Sequence, residues 1–201
     1  LEDSKGEERM KILRFIGVSI PLLFLLLVLV CSCYNPWFNF LDNSFSSLGS
    51  VSEHGATKPW IYNIGMVVLG AMACAYAVSF IHDSINKIET VAGVFLMSVG
   101  LFLALVGIHP MGTPHHGVMS TKYFYGAEIT MLVCGTSLFL SEHWKTGLII
   151  VGIELPAVLI ALYVNWPSVA VEEAYAITVL EFRLVLLTRV QMLREVLKRK
   201  N

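Results

Sequence analysis

The sequence predicts an all-α fold: a polytopic integral membrane six-helix bundle with an interfacial or re-entrant helix in its first outer loop. Three observations carry this expectation. Of 201 residues, 56% are hydrophobic and only 14% charged, and the mean hydropathy is +0.69, too apolar for a soluble domain of this size. Apolar runs long enough to cross a hydrocarbon core of about 30 Å recur along the chain. Lysine and arginine gather on alternate connections between those runs, as they do when one face of a bundle lies in the cytoplasm.

The opening segment "LEDSKGEER" (1–9) is polar and reads as a tag remnant or a disordered tail, with "MKILRFIG" starting the domain. Apolar runs at about 12–33, 60–81, 90–108, 121–140 and 147–164 are expected to span. The first of these lacks the small-residue cleavage site of a secretory signal. A sixth run, 171–190, contains Glu181, Arg183 and Arg189 and fits a helix packed inside the bundle. The six-span domain then covers 10–190, and 191–201 forms a basic cytoplasmic tail.

With the N-terminus inside, the cytoplasmic side holds Lys5, Arg9, Lys11, Arg14, Lys87, Lys145, Arg189, Arg194, Lys198, Arg199 and Lys200, against Lys58 and Lys122 outside. The chain is therefore expected in the cell membrane as a multi-pass protein with both termini cytoplasmic. Membrane lipid is the partner this implies, and a homo-oligomer stays open. The concentration of positive charge at the two ends leaves no basic face for a nucleic acid. Cys31, Cys33, Cys74 and Cys134 form no CxxC pair and read as small hydrophobes.

The odd-numbered connections then share the outer face: the long first loop (34–59), the histidine loop (109–120) and "NWPSVAVEE" (165–173). "WFNFLDNSFSSLG" within the first loop has apolar residues at helix-like spacing and is expected to form a short helix at the membrane surface. Pro110 and Pro114 in "HPMGTPHH" stop the third helix and stiffen the turn.

Three segments in order, "DNSFSSLGS" (42–50), "KPWIYNIGMVVLG" (58–70) and "GIHPMGTPHHGVMS" (107–120), resemble the DUF998 family of six-helix prokaryotic membrane proteins. The family pattern has a Ser-x-Leu-Gly loop, a Pro-Trp opening the second helix, and a Gly-x-x-Pro end of the third helix followed by a histidine. The resemblance covers about residues 12–165 and implies a fold and topology without an established activity. It extends distantly to the Frag1/DRAM membrane proteins, whose members include a factor in lipid remodelling of GPI anchors. His109 stands where the family commonly has Phe, and His115 is doubled by His116, so a site here is expected to be richer in histidine.

On the outer side lie Asp42, Asn43, Ser44, Ser46, Ser47, Glu53, His54, Asn63, His109, His115, His116, Ser120, Glu172 and Glu173, with Glu128 about one and a half turns into the fourth span. Imidazole and carboxylate are the non-thiolate ligands of zinc-type sites, so His109, His115, His116 and Asp42 are candidate ligands of a divalent metal such as zinc. Their spacing is not that of a helical His-x-x-x-His, and hydrogen-bonded loop histidines are the plainer alternative. Asp42 and Ser46 are i,i+4, and with His115 and His116 they are candidate catalytic residues of a hydrolase or transferase of lipid substrates. Alternatively, Asp42 and Ser46 cap a re-entrant helix.

Buried charge supplies a second clue. Counting at 1.5 Å per residue puts Glu154 about 11 Å and Arg183 about 10 Å from the inner boundary, at one depth, where they can pair. Pro156 opens the fifth helix just beyond Glu154. Three readings follow: a membrane-embedded lipid hydrolase or transferase, a non-enzymatic lipid or ion binding or transport protein using Glu154, Glu181 and Arg183, and a structural membrane protein.

Overall fold

The computed structural model describes residues 2–50, 52 and 55–198. Glu53 and His54, and the end of the basic tail beyond Lys198, lie outside the described residues. The chain forms six long helices: α1 (Glu2–Tyr34), α2 (Pro59–His82), α3 (Lys87–Ile108), α4 (His116–Phe139), α5 (Trp144–Tyr163) and α6 (Val169–Lys198). Among the described residues there is no strand.

Short turns force neighbours to run antiparallel, so each helix packs against the next, and α6 closes the bundle on α1 and α5 while also facing α4. The 109–115 turn and the long 35–58 connection share one end, the mouth. The start of α1 and the end of α6 lie at the other, the terminal end. α1, α2, α3 and α5 are long and apolar enough to cross a membrane by composition alone. α4 and α6 are long enough as well, about 36 and about 45 Å at 1.5 Å per residue.

The polarity pattern is that of a protein in lipid. Leu22, Leu25, Leu29, Ile64, Val68, Leu101, Ile129, Leu148, Leu155 and Leu162 face outward, while Arg14, Glu89, Glu154, Arg183, Thr188 and Arg194 are buried inside. With apolar surface gaining little from burial in such a solvent, helix contacts depend on close approach of small residues. α2 and α3 meet at Gly70 and Gly100: a Cβ at Gly70 would lie 2.5 Å from the Ala104 nitrogen and 2.6 Å from the Gly100 carbonyl oxygen. α4 and α5 close in the same way, where a Cβ on Gly147 would stand 2.6 Å from the Gly135 oxygen.

Three differences from the expected elements bear on the site. α4 begins at His116 rather than at 121, because the polar segment His116–Ser120 is helical and forms the mouth. α6 continues past 190 through the basic segment, with Gln191 and Arg194 buried. Among its described residues the first connection holds a buried 3-10 turn, Phe45–Gly49, where a longer helix at the membrane surface is expected. Every residue of that turn is buried, and Phe45 nests between Phe24, Phe38 and Phe40 at centroid distances of 5.6, 6.4 and 6.0 Å. α1 also runs through residues 2–9.

Gly70→Ala is expected to destabilise the bundle by about 1–3 kcal/mol, the usual cost of overpacking. Gly152→Ala, where a Cβ would meet nothing within 4 Å, is expected to leave stability unchanged or slightly higher. Thermal denaturation of the two variants in one detergent checks the contrast.

Candidate functional site

The buried turn is held from three sides. The Glu173 carboxylate on α6 accepts from the Phe45 backbone N–H at 2.8 Å, and the Asn63 side chain on α2 donates to the Gly49 carbonyl at 3.0 Å. The Ala170 N–H donates to the Asn43 carbonyl at 2.8 Å. A Cβ on Gly49 would fall 2.3 Å from Asn63 Oδ1, so glycine is needed where the turn meets α2. Asn35 anchors the base of the loop, donating to the Cys31 carbonyl at 2.8 Å and accepting from the Thr57 N–H at 2.7 Å.

The first connection and the histidine loop do meet, but through a methionine. The Ser44 and Ser47 hydroxyls lie 3.6 and 3.7 Å from the Met111 sulfur. Gly112, at φ +90°, carries the loop past Ser52, a conformation that disfavours other residues.

The histidines are arranged differently. His116 Nδ1 is 2.8 Å from the His109 carbonyl oxygen and must donate to it, since a carbonyl only accepts. The His109 and His115 rings meet edge to face at 5.3 Å, and His115 is exposed. Asp42 is exposed and bonds Asn39, while Ser46 is buried in the 3-10 turn beside the Tyr62 hydroxyl. Among the described residues no three His, Cys, Asp or Glu side chains gather as metal ligands. The four candidate catalytic residues thus occupy three separate environments.

The charged groups gather deeper. Arg183, fully buried, donates through Nη1 to Glu154 and through Nη2 to both oxygens of Glu128, at 2.9 and 2.8 Å. Its Nε donates to the Val179 carbonyl at 3.2 Å. Glu128 comes from α4, Glu154 from α5 and Arg183 from α6. Sequence reasoning paired Glu154 with Arg183 by depth but grouped Glu128 with the histidine loop. Because α4 starts at His116, Glu128 lies twelve residues down that helix, about 18 Å, level with Arg183.

Glu128 also lines a cavity of about 340 Å³ between α4, α5 and α6. Its walls are mostly apolar, with Phe124, Tyr125 and Tyr175 among them and Glu172 and Glu173 nearer the mouth. A second, smaller cavity of about 80 Å³ reaches the bundle centre and is lined by Tyr62, Tyr123 and Glu181. The two share Ser120, Phe124 and Glu173 as a common wall.

At the terminal end a second layer of ion pairs ties the helices. Arg14 bonds Asp83 at 2.6 and 2.7 Å and also Glu195, and Gln191 donates to Asp83 at 3.3 Å. Arg194 grips Glu89 through two 2.9 Å bonds. Sequence reading counted Arg14 and Arg194 only as topology signals.

Over residues 18–190 the chain matches the model of a family described as a protein of unknown function, DUF998. The chain belongs to the DUF998 family. It is an integral membrane protein with the six-helix architecture described above. A region of this DUF998 member is 29% identical over 104 residues to the solute carrier family 2, facilitated glucose transporter member 2 of Gallus gallus. That match covers 49% of the chain and 18% of the transporter's length. No solved structure matches it.

Two outcomes follow from the charge layers. Arg183→Met strands two carboxylates and is expected to cost about 3–5 kcal/mol, as loss of one partner from a buried pair does. Adding Glu128→Gln and Glu154→Gln to it should restore most of that stability, as read by thermal denaturation. At the terminal end, burial pushes the Asp83 carboxyl up, but the hydrogen bonds from Arg14, helped by His82, outweigh it and hold it below the usual carboxylate range. A depressed folded value means that this stabilisation is complete above the unfolded carboxylate pKa of about 3.9 and is lost as pH falls through the folded one. Wild type should therefore lose more stability than Asp83→Asn between pH 6 and about pH 3.

Proposed function

We propose that this DUF998 member is a non-enzymatic transport protein that takes a small solute into the α4–α5–α6 cavity. The observation that carries this is Arg183, fully buried at membrane depth and bridging Glu128 and Glu154 beside that cavity. Ionisable groups inside a membrane are costly, and they commonly mark substrate or ion pathways. Pro156 removes one helical hydrogen bond two residues from Glu154, which gives α5 a point of bending at the level of the triad. The likeness to a facilitated glucose transporter favours the same broad class, although it covers 18% of that protein.

In this reading the protein sits in the cell membrane with both termini cytoplasmic, as its lysine and arginine distribution favours. The cavity then opens outward at the mouth, and the Arg14–Asp83 and Arg194–Glu89 pairs close the cytoplasmic end. A metal-dependent hydrolase or transferase of lipid, using Asp42, Ser46, His115 and His116, has no comparable observation in its favour, since those side chains make their contacts apart from one another.

The test loads proteoliposomes with a mixture of cationic, neutral and anionic small solutes and follows their release by mass spectrometry. Wild type is expected to release at least one solute faster than protein-free vesicles, and Ala176→Trp, which fills the cavity, is expected to abolish that release. Release unchanged by Ala176→Trp, or no release by folded wild type, would overturn the proposal.

A further inference from the structure

Resting on the cavity reading above, we infer that the solute is a monovalent organic cation with an apolar body. Three properties of the cavity point to it. The first is charge: Glu128, Glu172 and Glu173 line the cavity, and among the described residues no lysine, arginine or histidine does. The nearest positive group, Arg183, is already bound by two carboxylates, so it does not offset the field of the carboxylates that line the cavity. In surroundings of low dielectric that field excludes anions and favours a cation, whose charge neutralises the site.

The second property is the wall. Phe124, Tyr125 and Tyr175 supply aromatic rings, and an ammonium group over a ring face gains attraction from the ring quadrupole. The Tyr175 ring is steadied by Trp166 at a centroid distance of 5.1 Å, and its hydroxyl donates to the Ala157 carbonyl at 3.2 Å. Its orientation is therefore set before any solute arrives. The third is size and polarity. At about 340 Å³ the cavity falls at the small end of the range for small-molecule sites. A polyhydroxy solute would leave most of its hydroxyls against carbon, whereas an amine bearing one aromatic or branched alkyl group places carbon on carbon and charge on carboxylate.

Equilibrium dialysis of the protein in lipid nanodiscs tests this, with benzyltrimethylammonium, glucose and benzoate as probes. Benzyltrimethylammonium is expected to bind saturably, glucose and benzoate to bind weakly or not at all, and Ala176→Trp to abolish binding. Glu172→Gln and, independently, Tyr175→Leu should each weaken the cation roughly three- to tenfold, the size of one lost ion or ring contact. Should either variant fail to fold, the other carries the comparison. Glucose or benzoate binding in preference to the cation, with loss in Ala176→Trp, would overturn the cation assignment and leave the cavity reading standing. Failure of every probe to bind wild type in an Ala176→Trp-sensitive way would overturn both.

Discussion

A guanidinium with no access to solvent, set midway along α6 inside the bundle, constrains the rest of this structure. Arg183 cannot lose its charge, so its donors must be met on the spot. The structure meets them with a carboxylate from α4, a carboxylate from α5 and a carbonyl of α6 itself. That requirement fixes the rotation of α6. With Arg183 inward, Leu184, Leu187, Thr188, Val190, Gln191 and Arg194 fall on the same buried stripe. The stripe in turn brings Arg194 to Glu89 and Gln191 to Asp83 at the terminal end.

The two halves of the bundle are consequently unlike. Toward the termini, α6 is clasped by ion pairs to α1 and α3 and by a hydrogen bond from Gln191 to the α2–α3 turn, and its inward residues are buried. Toward the mouth, α6 is only half-buried from Val171 to Ile177, and the cavity separates it from α4 and α5. Glycine contacts explain why the gap is there. Gly70 with Gly100, and Gly135 with Gly147, pull α2 to α3 and α4 to α5, while no such pair draws α6 inward along its upper half. Ala170, Ala174 and Ile177 pack that half on the core, and polar bonds add to this: Glu173 accepts from the Phe45 N–H, and the Ser168 hydroxyl donates to the Phe40 carbonyl at 2.7 Å.

The six helices and their order were legible because hydropathy and length report directly on membrane crossing, and because even the charged sixth run kept a helix-length apolar frame. Pairing of Glu154 with Arg183 was legible for a related reason: depth along a helix is a count of residues. The 3-10 turn was not, because Phe45 and Leu48 among serines look the same whether they meet lipid headgroups or a bundle interior. The partner of Glu128 was missed through a boundary. A start for α4 taken at the first strongly apolar residue left Glu128 near the mouth, whereas the polar turns from His116 to Ser120 push it down to Arg183. The histidines attracted notice by number, yet their contacts are a backbone carbonyl and one another.

The central claim is that the cavity beside the Arg183 triad communicates with the mouth side of the membrane and is closed from the terminal side. Site-directed thiol labelling in sealed vesicles measures this most directly, after replacement of Cys31, Cys33, Cys74 and Cys134. Ala176→Cys probes the cavity, Leu187→Cys the sealed stripe, and Thr113→Cys marks the mouth side. A membrane-impermeant reagent should modify Ala176→Cys only from the side on which Thr113→Cys reacts, and Leu187→Cys from neither side. Labelling of Ala176→Cys from the opposite side, or from neither, would contradict it.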